Sequence, residues 1–116
     1  MPHVQLNGPG ELRSLREPLS TLLLSAPPRI LKIQGAYLDG AEQHLILEAV
    51  VVEEYLRQNF FLLIRRDTDD LIVRCHPFST PQKTDGVKQL IALVAQRCRE
   101  ICPELQIGNT NLRSYL

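Results

Sequence analysis

FFLLIRR (60–66), DTDD (67–70) and LIVRCH (71–76) form the stretch that decides the fold. Two apolar runs flank a cluster of short carboxylates, and short polar side chains favour tight reversals, so the segment predicts a β-hairpin. A turn of two or four residues keeps the sum of paired residue numbers constant. It sets Arg66 opposite Leu71, Ile64 opposite Val73 and Leu62 opposite Cys75. Side chains alternate along a strand, so one face carries Phe60, Leu62, Ile64, Leu71, Val73 and Cys75. The other carries Phe61, Leu63, Arg65, Ile72, Arg74 and His76, which is neither a clean core nor a clean solvent surface.

The segment before this hairpin, Gln43 to Leu56, supports two readings. Leu45, Ala49, Val52 and Leu56 form a helical stripe, and Asp39 with Glu42 resembles a capping box. The run Val50, Val51, Val52 opposes it, because β-branched side chains lose rotamer freedom in a helix and suit a buried strand. Pairing this segment with the 60–66 strand through a turn at Arg57-Gln58 puts Leu45, Leu47, Ala49, Val51 and Tyr55 on the face of Phe60, Leu62 and Ile64. That agreement favours a strand; Glu53 is the one misfit on the apolar side. Arg29 to Leu38 is also β-rich, and Asp39-Gly40 signals a turn into the next strand.

Farther out, His3 to Leu6 reads as a short strand before the breaker Gly8-Pro9-Gly10. Leu12, Leu15, Leu19 and Leu22 recur at helical spacing from Glu11 to Ser25, where Pro18 either kinks the helix or opens a second one, and Pro27-Pro28 ends it. Thr84 or Asp85 caps a helix reaching about Cys102, with Val87, Leu90, Ile91, Val94, Cys98 and Ile101 on one face. Pro103 terminates it, Leu105 to Ile107 can add an edge strand, and Asn109 to Leu116 reads as a tail. The expectation is one α+β domain over 1–116: an antiparallel meander of four to five strands with two main helices, in β-α-β-β-β-β-α order and two layers. The element order is similar to TATA-binding-protein-like halves and, more loosely, to helix-grip folds. The likeness is one of topology, with no residue motif of either family, so it implies no function.

At 116 residues the chain is long enough for one hydrophobic core. Thirteen basic and thirteen acidic residues cancel, so no global field draws it to nucleic acid or anionic membrane. The start lacks a charged region followed by an apolar one, and the apolar runs fall far short of the ~20 residues that span a bilayer. Three cysteines without framework spacing suit free thiols in a reducing compartment, which makes the cytoplasm the expected location.

With both helices on the Phe60 face, the opposite face holds Ile46, Val50, Val52, Phe61, Leu63 and Ile72. Burying each is worth about 1.5–3 kcal/mol, so a cover is expected. The candidates are one helix on each face of a three-layer domain, a symmetric homodimer, and a heterologous partner or apolar ligand. Arg65, Arg74 and His76 share that face beside Phe61 and are able to converge on a phosphate or carboxylate, as in single-strand nucleic-acid binders. Glu48 and Glu54 also fall on it, and cross-strand ion pairs then satisfy the arginines equally well. Aromatic content of 5% also weighs against nucleic acid.

Chemistry beyond binding finds little footing. Cys98 and Cys102 lie one helical turn apart, but Cys75 and His76 point to opposite sides of a strand, which argues against one shared zinc ion and against a Cys-His nucleophile. Asp67, Asp69 and Asp70 lack the glycine and distal glutamate of a calcium loop. The sequence thus points to a non-enzymatic binding or assembly module without metal or cofactor, self-associating through Phe61, Leu63, Arg65, Ile72, Arg74 and His76. The second reading is a small-molecule or nucleotide pocket between the long C-terminal helix and the sheet, and the third a weak single-strand nucleic-acid binder.

Overall fold

The computed structural model describes all residues, 1–116. Its elements are β1 (His3–Asn7), α1 (Leu12–Leu19), β2 (Leu23–Ala26), β3 (Arg29–Leu38), β4 (His44–Glu53), β5 (Leu56–Asp67), β6 (Asp70–Cys75), α2 (Asp85–Ile101) and β7 (Gln106–Thr110), with a 3-10 turn at Arg113–Tyr115. The strands form one curled antiparallel sheet in the order β2-β3-β4-β5-β6-β1-β7. Register shifts between Ile33 and Gly35, and between Val4 and Leu6, interrupt the ladders where a bulge bends a strand. No helix is long and apolar enough to cross a membrane.

The deciding hairpin forms in the anticipated register. Leu62 pairs with Cys75, Ile64 with Val73 and Arg66 with Leu71, around a two-residue turn at Thr68-Asp69 in which Thr68 takes a positive φ of 54°. Gln43 to Leu56 is strand rather than helix for most of its length. Its turn into β5 falls at Glu54-Tyr55, not Arg57-Gln58, so Ala49 meets Phe60 and Glu53 meets Leu56. Tyr55 therefore stands in water at the turn instead of joining the core.

Two departures enlarge the sheet from the four or five strands anticipated to seven. The first helix stops at Leu19, just past Pro18, where the Ser20 N–H donates to the Arg16 and Glu17 carbonyls. Leu22 is buried like Leu19, but as the entry to β2, whose hairpin with β3 closes on Pro27-Pro28. A four-residue strand is too short to display its alternation, so the helical spacing of the leucines prevailed in the sequence. At the other edge β7 runs to Thr110 and pairs with β1, while Leu112 is buried and the Tyr115 hydroxyl donates to Asp85 at 2.6 Å. Residues 109–116 are thus folded against the body.

Both helices lie on the same side of the sheet. Leu12, Leu15 and Leu19 of α1 and Val87, Leu90, Ile91, Val94 and Cys98 of α2 share one buried cluster with Leu45, Leu47, Ala49, Val51, Phe60, Leu62, Ile64, Leu71 and Val73. This side is the inner face, and the two-layer arrangement follows from it. Thr84 caps α2 by accepting from the Val87 N–H at 3.3 Å.

Glu53, the misfit, sits on this inner face as a second cap for α2. Its carboxylate accepts from the Gly86 N–H at 3.0 Å and from the Thr84 hydroxyl at 2.5 Å, and lies 3.6 Å from the Arg29 guanidinium. A negative charge is well placed at a helix N-terminus, where N–H groups lack intrahelical partners. Gly86 permits the approach, because a Cβ there would stand 2.7 Å from both Val51 Cγ1 and Glu53 Cδ.

The β3–β4 loop is tied down by carboxylates. Asp39 accepts from the His44 ring at 2.9 Å and from the Gln43 and His44 N–H groups at 2.8 and 3.0 Å. Glu42 takes two hydrogen bonds from Arg13 of α1, at 2.8 and 2.7 Å. The His44 side-chain bond holds the Asp39 carboxyl below its ordinary range, and the Arg13 bond does the same for Glu42. A carboxyl lowered by folding stabilises the fold fully above its unfolded value and loses that contribution as pH falls through the lower folded value. The loop is therefore expected to stay ordered at neutral pH and to loosen only below about pH 4. Hydrogen exchange at the Gln43 amide, which donates to Asp39, checks this: loss of its protection near neutral pH would contradict it.

Candidate functional site

The outer face is the side of the sheet away from the helices. Register places Tyr37, Ile46, Leu63 and Arg74 in one row across β3, β4, β5 and β6, with Glu48 and Phe61 in the row beside it and Arg65 and Ile72 in the row beyond. All six residues singled out from the sequence lie on or beside this face, and His76 continues it where its N–H donates to the Phe61 carbonyl at 2.9 Å.

Their exposures differ from the even apolar patch anticipated. Phe61 is 44% exposed, while Leu63 is 6% exposed and Val50 is buried. Ile46, Val52 and Ile72 are half-buried. Leu63 has Ile46 and Arg74 as its cross-strand neighbours, whose stems suffice to screen it. Val50 and Leu63 nevertheless stand outside the core cluster that both helices share. Hydrophobic exposure on this side concentrates instead at Leu23, Tyr37 and Phe61 and at Phe78 in the loop after β6.

The cross-strand ion pairs weighed from the sequence do not form. Glu48 accepts from the Tyr37 hydroxyl at 2.9 Å and from the Gln34 amide at 3.1 Å, and Glu54 lies in the β4–β5 turn. The bond to Glu48 pushes the Tyr37 phenol above its ordinary value. Tyr37 passes over Gly35, where a Cβ would stand 2.7 Å from the phenol oxygen. Arg74 donates to the Cys75 carbonyl at 3.2 Å, and neither it nor Arg65 has a carboxylate within 4.0 Å. Two guanidinium groups and one carboxylate thus flank the apolar centre without neutralising one another.

Sequence reasoning missed the loop that frames this centre. Ser79 Oγ accepts from the Phe61 N–H at 3.0 Å, and Gln58 and Gln82 exchange hydrogen bonds of 2.7 and 3.1 Å, so residues 76–82 are stapled along β5. Within it the Phe78 N–H donates to His76 Nδ1 at 3.1 Å, and the two rings lie 5.5 Å apart. Loop and sheet enclose an open hollow of about 450 Å3 lined chiefly by Ile46, Phe61, His76, Phe78 and Ser79. Phe78 itself is 94% exposed. A bulky aromatic between two prolines was the available signal.

On the other side, the space between α2 and the sheet is filled by the shared core. What stays open there is a groove of about 420 Å3 at the start of α2, beside Leu24, Arg29, Leu31, Glu53 and Gln89, where Arg29 donates to Gln89 at 2.8 Å. Cys75 faces the core and His76 the outer side; Cys98 is buried and Cys102 half-buried. Burial pushes the Cys98 and Cys75 thiols above their ordinary value, which disfavours the thiolate that nucleophilic or metal chemistry requires. No protein-family model, no curated protein and no solved structure matches the chain.

Proposed function

We propose that this protein works by binding, as a cytoplasmic assembly module that pairs with a second copy of itself through the outer sheet face. Phe61, Leu63, Arg65, Ile72, Arg74 and His76 form the contact. The observation that carries this reading is the one-sided placement of both helices, which leaves Phe61 and its aromatic neighbours without a cover. Charge complementarity favours a second copy as the cover. Glu48 lies beside Phe61 on β4, whereas Arg74 lies on β6 and Arg65 further along β5. A twofold axis lying in the face along β5 exchanges the β4 and β6 sides. Glu48 of each protomer then approaches the basic side of its partner, as an isologous interface requires.

Oxidative footprinting at rising protein concentration tests this. Phe61 and Tyr37 are expected to lose reactivity between nanomolar and high micromolar protein, while Tyr55, at the β4–β5 turn, keeps its own. Unchanged reactivity of Phe61 over that range would contradict the proposal.

A further inference from the structure

We infer that Phe78 is the anchor of this self-association, each copy seating its ring in the hollow beside Phe61 of the other; the inference rests on the pairing proposed above. Interfaces are typically anchored by aromatic side chains that enter a pocket, and Phe78, unlike the equally exposed Tyr55, adjoins one. Phe78 has 94% of its surface exposed although the backbone around it is fixed by hydrogen bonds at 76, 78, 79 and 82. A preformed loop loses little conformational entropy on docking.

The receiving surface is equally defined. The hollow of about 450 Å3 is walled by Phe61, Ile46 and His76, and it exceeds the roughly 150 Å3 that holds a benzene ring. It has room for a second phenyl ring beside its own Phe78. Loop and hollow adjoin on one face, so a twofold axis passing between them brings each Phe78 over the partner's hollow, and one symmetric contact satisfies both. The same axis sets Glu48 of each copy toward the side of the partner that bears His76 and Arg74. Ligand-like occupancy of the hollow by the chain itself also explains why an aromatic hollow adjoins an exposed aromatic side chain.

The test pairs Phe78→Ala with a photocrosslink. Phe78→Ala is expected to keep the melting temperature of the isolated protomer and to raise the dimer dissociation constant at least tenfold. With p-benzoylphenylalanine at position 78, in a mixture of isotopically heavy and light chains, irradiation is expected to join position 78 of one chain to the peptide holding Phe61 or His76 of another. A dimer whose dissociation constant is unchanged by Phe78→Ala, or whose crosslinks map elsewhere, would overturn the anchor while leaving self-association standing. A wild-type chain that is monomeric throughout would overturn both.

Discussion

Phe61→Glu is expected to turn a concentration-dependent dimer into a monomer with little change to the fold. Phe61 sits opposite Glu48 on β4 and is 44% exposed, with its backbone held by Ser79 and His76. A glutamate at 61 faces another carboxylate across the strands, and like charges directly opposite cost a few tenths to about 1 kcal/mol. The protomer tolerates this, since the side chain reaches water. In the proposed dimer the same carboxylate would be placed in an apolar contact next to its partner's face. Truncating a central interface aromatic commonly costs 2 kcal/mol or more, and a buried unpaired charge adds to it. The expected weakening is at least ~30-fold in dissociation constant. Sedimentation of the variant beside its thermal melt separates the two effects. Loss of folding together with loss of the dimer would show that Phe61 belongs to the protomer's core.

Glu53→Ala is expected to be among the most damaging single changes for stability. The side chain is only 17% exposed, and it satisfies the Gly86 N–H, the Thr84 hydroxyl and one side of Arg29 at the start of α2. Alanine removes the acceptor these donors share at the floor of the groove beside α2. Breaking a largely buried charged hydrogen-bond set costs about 2–4 kcal/mol, which for a domain of this size lowers the melting temperature by roughly 10 °C. Glu53→Gln keeps one acceptor and is expected to lose about half as much. Arg29→Ala should cost less, because its side chain is 36% exposed and the carboxylate retains its α2 partners. Melting curves of the three variants rank them, and a Glu53→Ala protein that melts within 2 °C of the wild type would refute the cap.

How much of this was legible follows from the range of each interaction. The β5–β6 hairpin is local, its turn is short and its pattern has period two, so the register could be read directly. The faces of β4 came out right although its turn was misplaced. Ala49 pairs with Phe60 rather than with Arg66 six residues on, and a slip by an even number leaves every side chain on its own face. β1 was visible, but its seat between β6 and β7 joins the two ends of the chain, and no local signal encodes that pairing. β2 was hidden because Leu15, Leu19 and Leu22 keep a helical rhythm across the end of α1.

For the site, the residue types were legible and their partners were not. Arg65, Arg74 and Glu48 do lie on one face, yet Glu48 turns to Tyr37 across Gly35 and leaves both arginines without a carboxylate. Side-chain reach and rotamer decide such contacts, and strand register alone does not. Glu53 stood out as a charge on an apolar stripe; its meaning required knowing where α2 begins in space.

The central claim is that the outer face is covered by a second copy, and the mass of the intact chain in solution tests it most directly. Sedimentation equilibrium from nanomolar to high micromolar protein is expected to pass from the 13.2 kDa chain mass to twice that value. A single species of the chain mass at every concentration would contradict the account.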